Sequence, residues 1–86
     1  MKTRLKKNNI QKPKIEIYTR PGCGYCFRII SFLDSHNVKY TNFRLGEDFT
    51  RQKFETKFGK GATFPRVLIN NQLVGGCDET INLLSI

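Results

Sequence analysis

Ile15-Glu16-Ile17-Tyr18-Thr19-Arg20-Pro21-Gly22-Cys23-Gly24-Tyr25-Cys26 is the stretch that decides the fold. Ile15, Ile17 and Thr19 alternate with Glu16 and Tyr18, a period of two that predicts a strand over Lys14 to Thr19. Arg20-Pro21-Gly22 breaks the pattern and forces a turn. Beyond it Cys26, Phe27, Ile29, Ile30 and Leu33 fall at helical spacing until the polar run Asp34-Ser35-His36-Asn37, which predicts a first helix. Cys23 thus stands at a helix start and Cys26 in its first turn, where two thiols can reach one another and form a reversible disulfide.

Further along, Val38 to Arg44 alternates again and predicts a second strand. Asp48 is expected to cap a second helix that carries Phe49, Phe54 and Phe58 and stops at Gly59, with Lys53 and Lys57 where cations suit the helix dipole. Arg66-Val67-Leu68-Ile69 reads as a strand, Asn70-Asn71 as a tight turn and Gln72-Leu73-Val74 as the returning strand of a hairpin, closed by Gly75-Gly76. Asp78 or its neighbour is expected to cap a last helix containing Ile81, Leu83 and Leu84. The order β-α-β-α-β-β-α makes this an α/β domain, with strands one and two parallel through a right-handed crossover beside an antiparallel hairpin.

The chain has 86 residues, 38% of them hydrophobic and 12% aromatic with no Trp, which suits one small domain with a packed core. The net charge of +8 is unevenly placed: Lys2, Arg4, Lys6, Lys7, Lys12 and Lys14 all precede the first acid, Glu16. Residues 1–13 are therefore expected to be a flexible basic arm, solvated and not a nucleic-acid site, in front of a domain over 14–86. Three cysteines do not make a disulfide framework, and no apolar run is long enough for a signal peptide or a membrane span. A soluble, cytoplasmic, monomeric protein is expected.

At a helix start the unpaired backbone N–H groups and the dipole favour a thiolate at Cys23, and Arg20 adds a charge nearby. A thiolate held in this way gains little as an attacking group, but it leaves a mixed disulfide readily. Two bland readings stand beside this one. The pair can be two small buried hydrophobes, or Cys23, Cys26, Cys77 and His36 can be zinc ligands, although no second closely spaced pair supports a zinc site.

Three separated blocks, Tyr18-Thr19-Arg20 leading to Cys23-Gly24-Tyr25-Cys26, then Thr63-Phe64-Pro65, then Gly75-Gly76-Cys77-Asp78, resemble the glutaredoxins over residues 14 to 84. The resemblance implies a thioredoxin-like fold, a four-stranded mixed sheet flanked by three helices. It also implies glutathione-dependent reduction of protein disulfides and glutathione mixed disulfides, with Cys23 as nucleophile and Cys26 as resolving thiol. It places Arg20 on the glycine carboxylate of glutathione, Phe64 in backbone pairing with its cysteine before a cis Pro65, and Gly76, Cys77 and Asp78 around its γ-glutamyl end. Tyr25 and Thr63 complete that site. Cys77 is either a contact or a secondary oxidation site, and Phe64 departs from the more usual Val. Arg51 and Gln52 remain without a role. Two alternatives follow from the same likeness. In one, Cys23 from two chains and two glutathiones would hold a [2Fe-2S] cluster, a reading prompted by Gly24 in place of a common Pro. In the other, the protein would be a redoxin reduced by thioredoxin reductase. The expected partners are glutathione and proteins that carry disulfides or bound glutathione, with no membrane.

Overall fold

The computed structural model describes residues 13–85, so the predicted basic arm lies outside the described residues except for Pro13. Strand β1 (Ile15–Thr19) buries Ile15, Ile17 and Thr19 and leaves Glu16 and Tyr18 half-covered, as the period-two pattern requires. It is followed by α1 (Gly24–Ser35), β2 (Thr41–Arg44), α2 (Arg51–Phe58), β3 (Arg66–Ile69), β4 (Gln72–Gly75) and α3 (Cys77–Leu84). The sheet runs β2-β1-β3-β4. β1 is parallel to β2, with Glu16 opposite Thr41, and antiparallel to β3, with Ile15 opposite Ile69. β3 and β4 form the hairpin, whose Asn70 and Asn71 both take positive φ (52° and 69°) as a primed turn demands.

One face of the sheet packs under α1 and α3. Ile15, Ile17, Ile29, Leu33, Val67 and Cys77 form its buried core, flanked by Ile30, Val38, Ile69, Ile81 and Leu84. Tyr18 points the other way and gathers Phe43, Phe49 and Phe58 at centroid distances of 5.0–5.2 Å. Phe54 of α2 is buried within this second, aromatic layer.

Three expectations need correction. The second strand begins at Thr41 and not at Val38, because Asn37 turns the chain with φ 58° and the Val38 N–H donates back to the Leu33 carbonyl at 2.9 Å. Val38 thus closes α1 and packs on the core. The cap of α2 is Thr50, whose hydroxyl accepts from the Lys53 N–H at 3.2 Å, while Asp48 accepts from the Arg44 N–H at 2.8 Å and braces the turn before it. The cap of α3 is Gly76, so Asp78 stands inside the first turn.

Candidate active site

Arg20-Pro21-Gly22 ends β1, and Gly22 takes a left-handed φ of 71° that lets the chain enter α1 at once. Cys23 is the N-cap of α1: the Cys26 N–H donates to its Sγ at 3.1 Å. Cys23 and Cys26 are joined as a disulfide with Cα atoms 5.2 Å apart. Cys23 is half-buried and Cys26 is buried, so an incoming group meets Cys23 first. Its Sγ lies 3.9 Å from the Phe64 carbonyl oxygen, directly before the cis Phe64–Pro65 peptide bond.

Beside the disulfide lies a cavity of about 160 Å³ whose walls include Tyr25, Thr63, Phe64, Pro65, Gly76, Cys77 and Asp78. Three blocks far apart in the chain therefore converge on one groove. Arg20 does not line that groove. Its guanidinium lies over the Phe64 ring, 6.0 Å from the centroid, and donates to the Pro21 carbonyl at 3.2 Å. Asp78 makes an exposed ion pair with Arg28 at 3.8 Å, a contact that solvent weakens.

Two residues of the groove escaped the sequence reading. Arg66 fits the strand pattern of Arg66-Val67-Leu68-Ile69, yet its guanidinium lies at the groove beside Thr63 Oγ1 (3.5 Å) and the Pro65 carbonyl (3.4 Å). Glu79 accepts from the Gly76 N–H at 2.9 Å, and an acid three residues after the Gly pair was the signal for it. The N–H groups of Glu79 itself and of Gly76, with the nearby Arg66 charge, hold its carboxyl below the ordinary 4.5. A depressed folded value stabilises the fold above pH 4.5 and withdraws that stability as pH falls through it. Glu79→Gln is therefore expected to lose less stability between pH 7 and pH 3 than the parent, measured by urea midpoints. An equal acid loss in both proteins would remove Glu79 from this role.

Cys77 is part of the hydrophobic core, and burial pushes its thiol up, against the opposing pull of Arg28. A buried, protonated thiol is a poor target for oxidants, which favours the contact reading of Cys77 over the oxidation one. His36 caps the far end of α1, away from both cysteines. Among the described residues no group of three or more His, Cys, Asp and Glu is assembled to hold a metal ion, so a cluster would have to draw further ligands from outside the chain.

A reversible disulfide on the first turn of a helix, facing a cis-proline segment across the end of this sheet, defines a thiol-disulfide oxidoreductase of the thioredoxin-like class. Within that class the chain belongs to the glutaredoxin family, whose family model "Glutaredoxin" matches residues 15–74. Glutaredoxin 1 of Rickettsia prowazekii is 38% identical over 71 residues, covering 80% of this chain and 75% of the relative. The solution structure of glutaredoxin from Brucella melitensis aligns with a TM-score of 0.62 at 33% identity, over 81% of this chain and 76% of that one. The buckwheat glutaredoxin–glutathione complex aligns with a TM-score of 0.67 at 21% identity, over 90% of this chain and 73% of that one, a likeness of fold.

Proposed function

We propose that this glutaredoxin uses glutathione as its reductant and acts on protein disulfides and on mixed disulfides between proteins and glutathione. The observation that carries the reading is the position of Cys23 Sγ, 3.9 Å from the Phe64 carbonyl, beside a groove walled by all the residues that the resemblance assigns to glutathione except Arg20. Glutathione carries two carboxylates and one ammonium. The Cys77 and Asp78 N–H groups at the start of α3 suit its γ-glutamyl carboxylate, since Glu79 already takes the Gly76 N–H. Asp78 suits the ammonium, Phe64 offers its backbone to the cysteine, and Arg20 suits the glycine carboxylate. Tyr25, Thr63 and Pro65 form the walls.

In the reduced protein the Cys23 thiolate attacks the glutathione sulfur of a mixed disulfide. The S–S bond breaks, the protein thiol leaves, and a Cys23–glutathione disulfide remains. A second glutathione thiolate, or that of Cys26, then attacks that bond. The products are oxidised glutathione with free Cys23, or free glutathione with the Cys23–Cys26 disulfide. The N–H groups that favour the Cys23 thiolate also make it a ready leaving group in this second step.

The decisive assay follows reduction of a small glutathione mixed disulfide with glutathione, glutathione reductase and NADPH. Turnover that depends on glutathione is expected, with none when thioredoxin reductase and NADPH replace it; the reverse pattern would overturn the reading. The reducing cytoplasm is the compartment we propose, since this chemistry needs a reduced glutathione pool.

A further inference from the structure

Phe64 presents a ring where Val is more usual, and the ring lies between two other groups. It stacks on Phe54 at 4.1 Å and 14°, and Phe54 is 1% exposed, held by Phe49 and Phe58 at 5.7 and 5.0 Å. The Arg20 guanidinium lies over the same Phe64 ring. Phe64 is thus anchored to the buried aromatic layer while it meets the exposed cation of Arg20, which follows β1 on the way to Cys23. A guanidinium is attracted to a ring face, and an anchored ring gives it one preferred place. The single bond from Arg20 to the Pro21 carbonyl uses one of five donors, which leaves its fork for a ligand.

We infer that Phe64 is a positioning residue: its ring, clamped on Phe54, holds the Arg20 guanidinium at the Cys23 mouth so that it receives a carboxylate of the incoming disulfide. This rests on the glutathione reading above and adds to it the side chain that sets carboxylate selectivity. A Val at the same place has no ring face, so Arg20 must then be ordered by the substrate itself at an entropic cost.

The test uses the reduced full chain in a Cys26→Ser background, where each encounter is one exchange. The Cys23 thiolate attacks one sulfur, the S–S bond breaks, and the other half leaves as a thiolate. Second-order rate constants are measured with oxidised glutathione and with uncharged 2-hydroxyethyl disulfide. Their ratio, normalised to that of a free thiol such as N-acetylcysteine, reports carboxylate selectivity. The parent ratio is expected to exceed one, and Arg20→Gln lowers it about ten-fold. Phe64→Val lowers it about three-fold, and Phe64→Tyr, which keeps the ring, restores it. The double variant Arg20→Gln/Phe64→Val matches Arg20→Gln alone, because the ring acts through the cation. A Phe64→Val ratio equal to the parent's, or additive losses in the double variant, overturns the inference while leaving the glutathione reading intact. A parent ratio of one overturns the glutathione reading itself.

Discussion

Cys23→Ser is expected to reduce disulfide exchange to the uncatalysed background, a loss of at least about 10³-fold, because a serine hydroxyl supplies no thiolate to attack or leave. Unfolding is not the cause to fear. Cys23 is the N-cap of α1 and its Sγ accepts the Cys26 N–H; Ser is among the best N-cap residues and can accept the same bond. Cys26→Ser differs in both respects. It puts a hydroxyl at a site only 3% exposed, which costs about 1–2 kcal/mol if the group finds no partner. On the proposed mechanism it also removes the resolving thiol while sparing the one that takes up glutathione. Removal of glutathione from a model protein is therefore expected to survive in Cys26→Ser and vanish in Cys23→Ser. Activity that persists in Cys23→Ser would sink the assignment of the nucleophile.

Phe54→Ala is expected to cost about 3–5 kcal/mol, the usual range for emptying a buried aromatic site. In a domain of this size that is a large share of the total. The reason is local. The eight residues of α2 include only one buried side chain, Phe54, and its ring touches Phe49, Phe58 and Phe64. Without that ring the helix loses its anchor, and Phe64 loses the surface on which it stacks. Urea unfolding followed by circular dichroism measures the loss, and Phe54→Leu should recover much of it. A cost below about 1 kcal/mol would show that the aromatic layer relaxes to fill the gap.

Local patterns in the chain were sufficient for the element order. Ile15, Ile17 and Thr19 alternate because one face of β1 is buried, and Asn70-Asn71 marks its turn because Asn tolerates the left-handed region. Boundaries were less legible where two signals competed. Asp48 and Thr50 are both good caps, and only the placement of the Arg44 N–H decided that Asp48 braces the turn. Val38 continued a strand-like alternation, yet the helix claimed its N–H. Within the site, the Cys23–Cys26 spacing was legible from its chemistry, whereas the residues of the other two blocks were legible only through the resemblance to the glutaredoxins. Arg66 was not, since a cation at a strand start looks the same whether it faces water or a groove. Phe64 is a departure from the more usual Val, but nothing local in the chain shows that its ring meets Phe54, ten residues earlier in α2, and Arg20, just past the end of β1.

The central place of β1 carries a consequence for how the molecule is made. Its antiparallel partner β3 follows only after α1, β2 and α2, so the sheet cannot close until those elements have been made, and pairings between distant segments are slow to form. Until the chain folds, Cys77 lacks the cover that the core gives it. Cys23 and Cys26 close a far shorter loop than either does with Cys77, which favours their pairing from the outset. The docking of α3 against α1 then removes Cys77 into the core. Burial of Cys77 thereby takes the one competing thiol out of reach and leaves the Cys23–Cys26 pair with Cys23 as its accessible member.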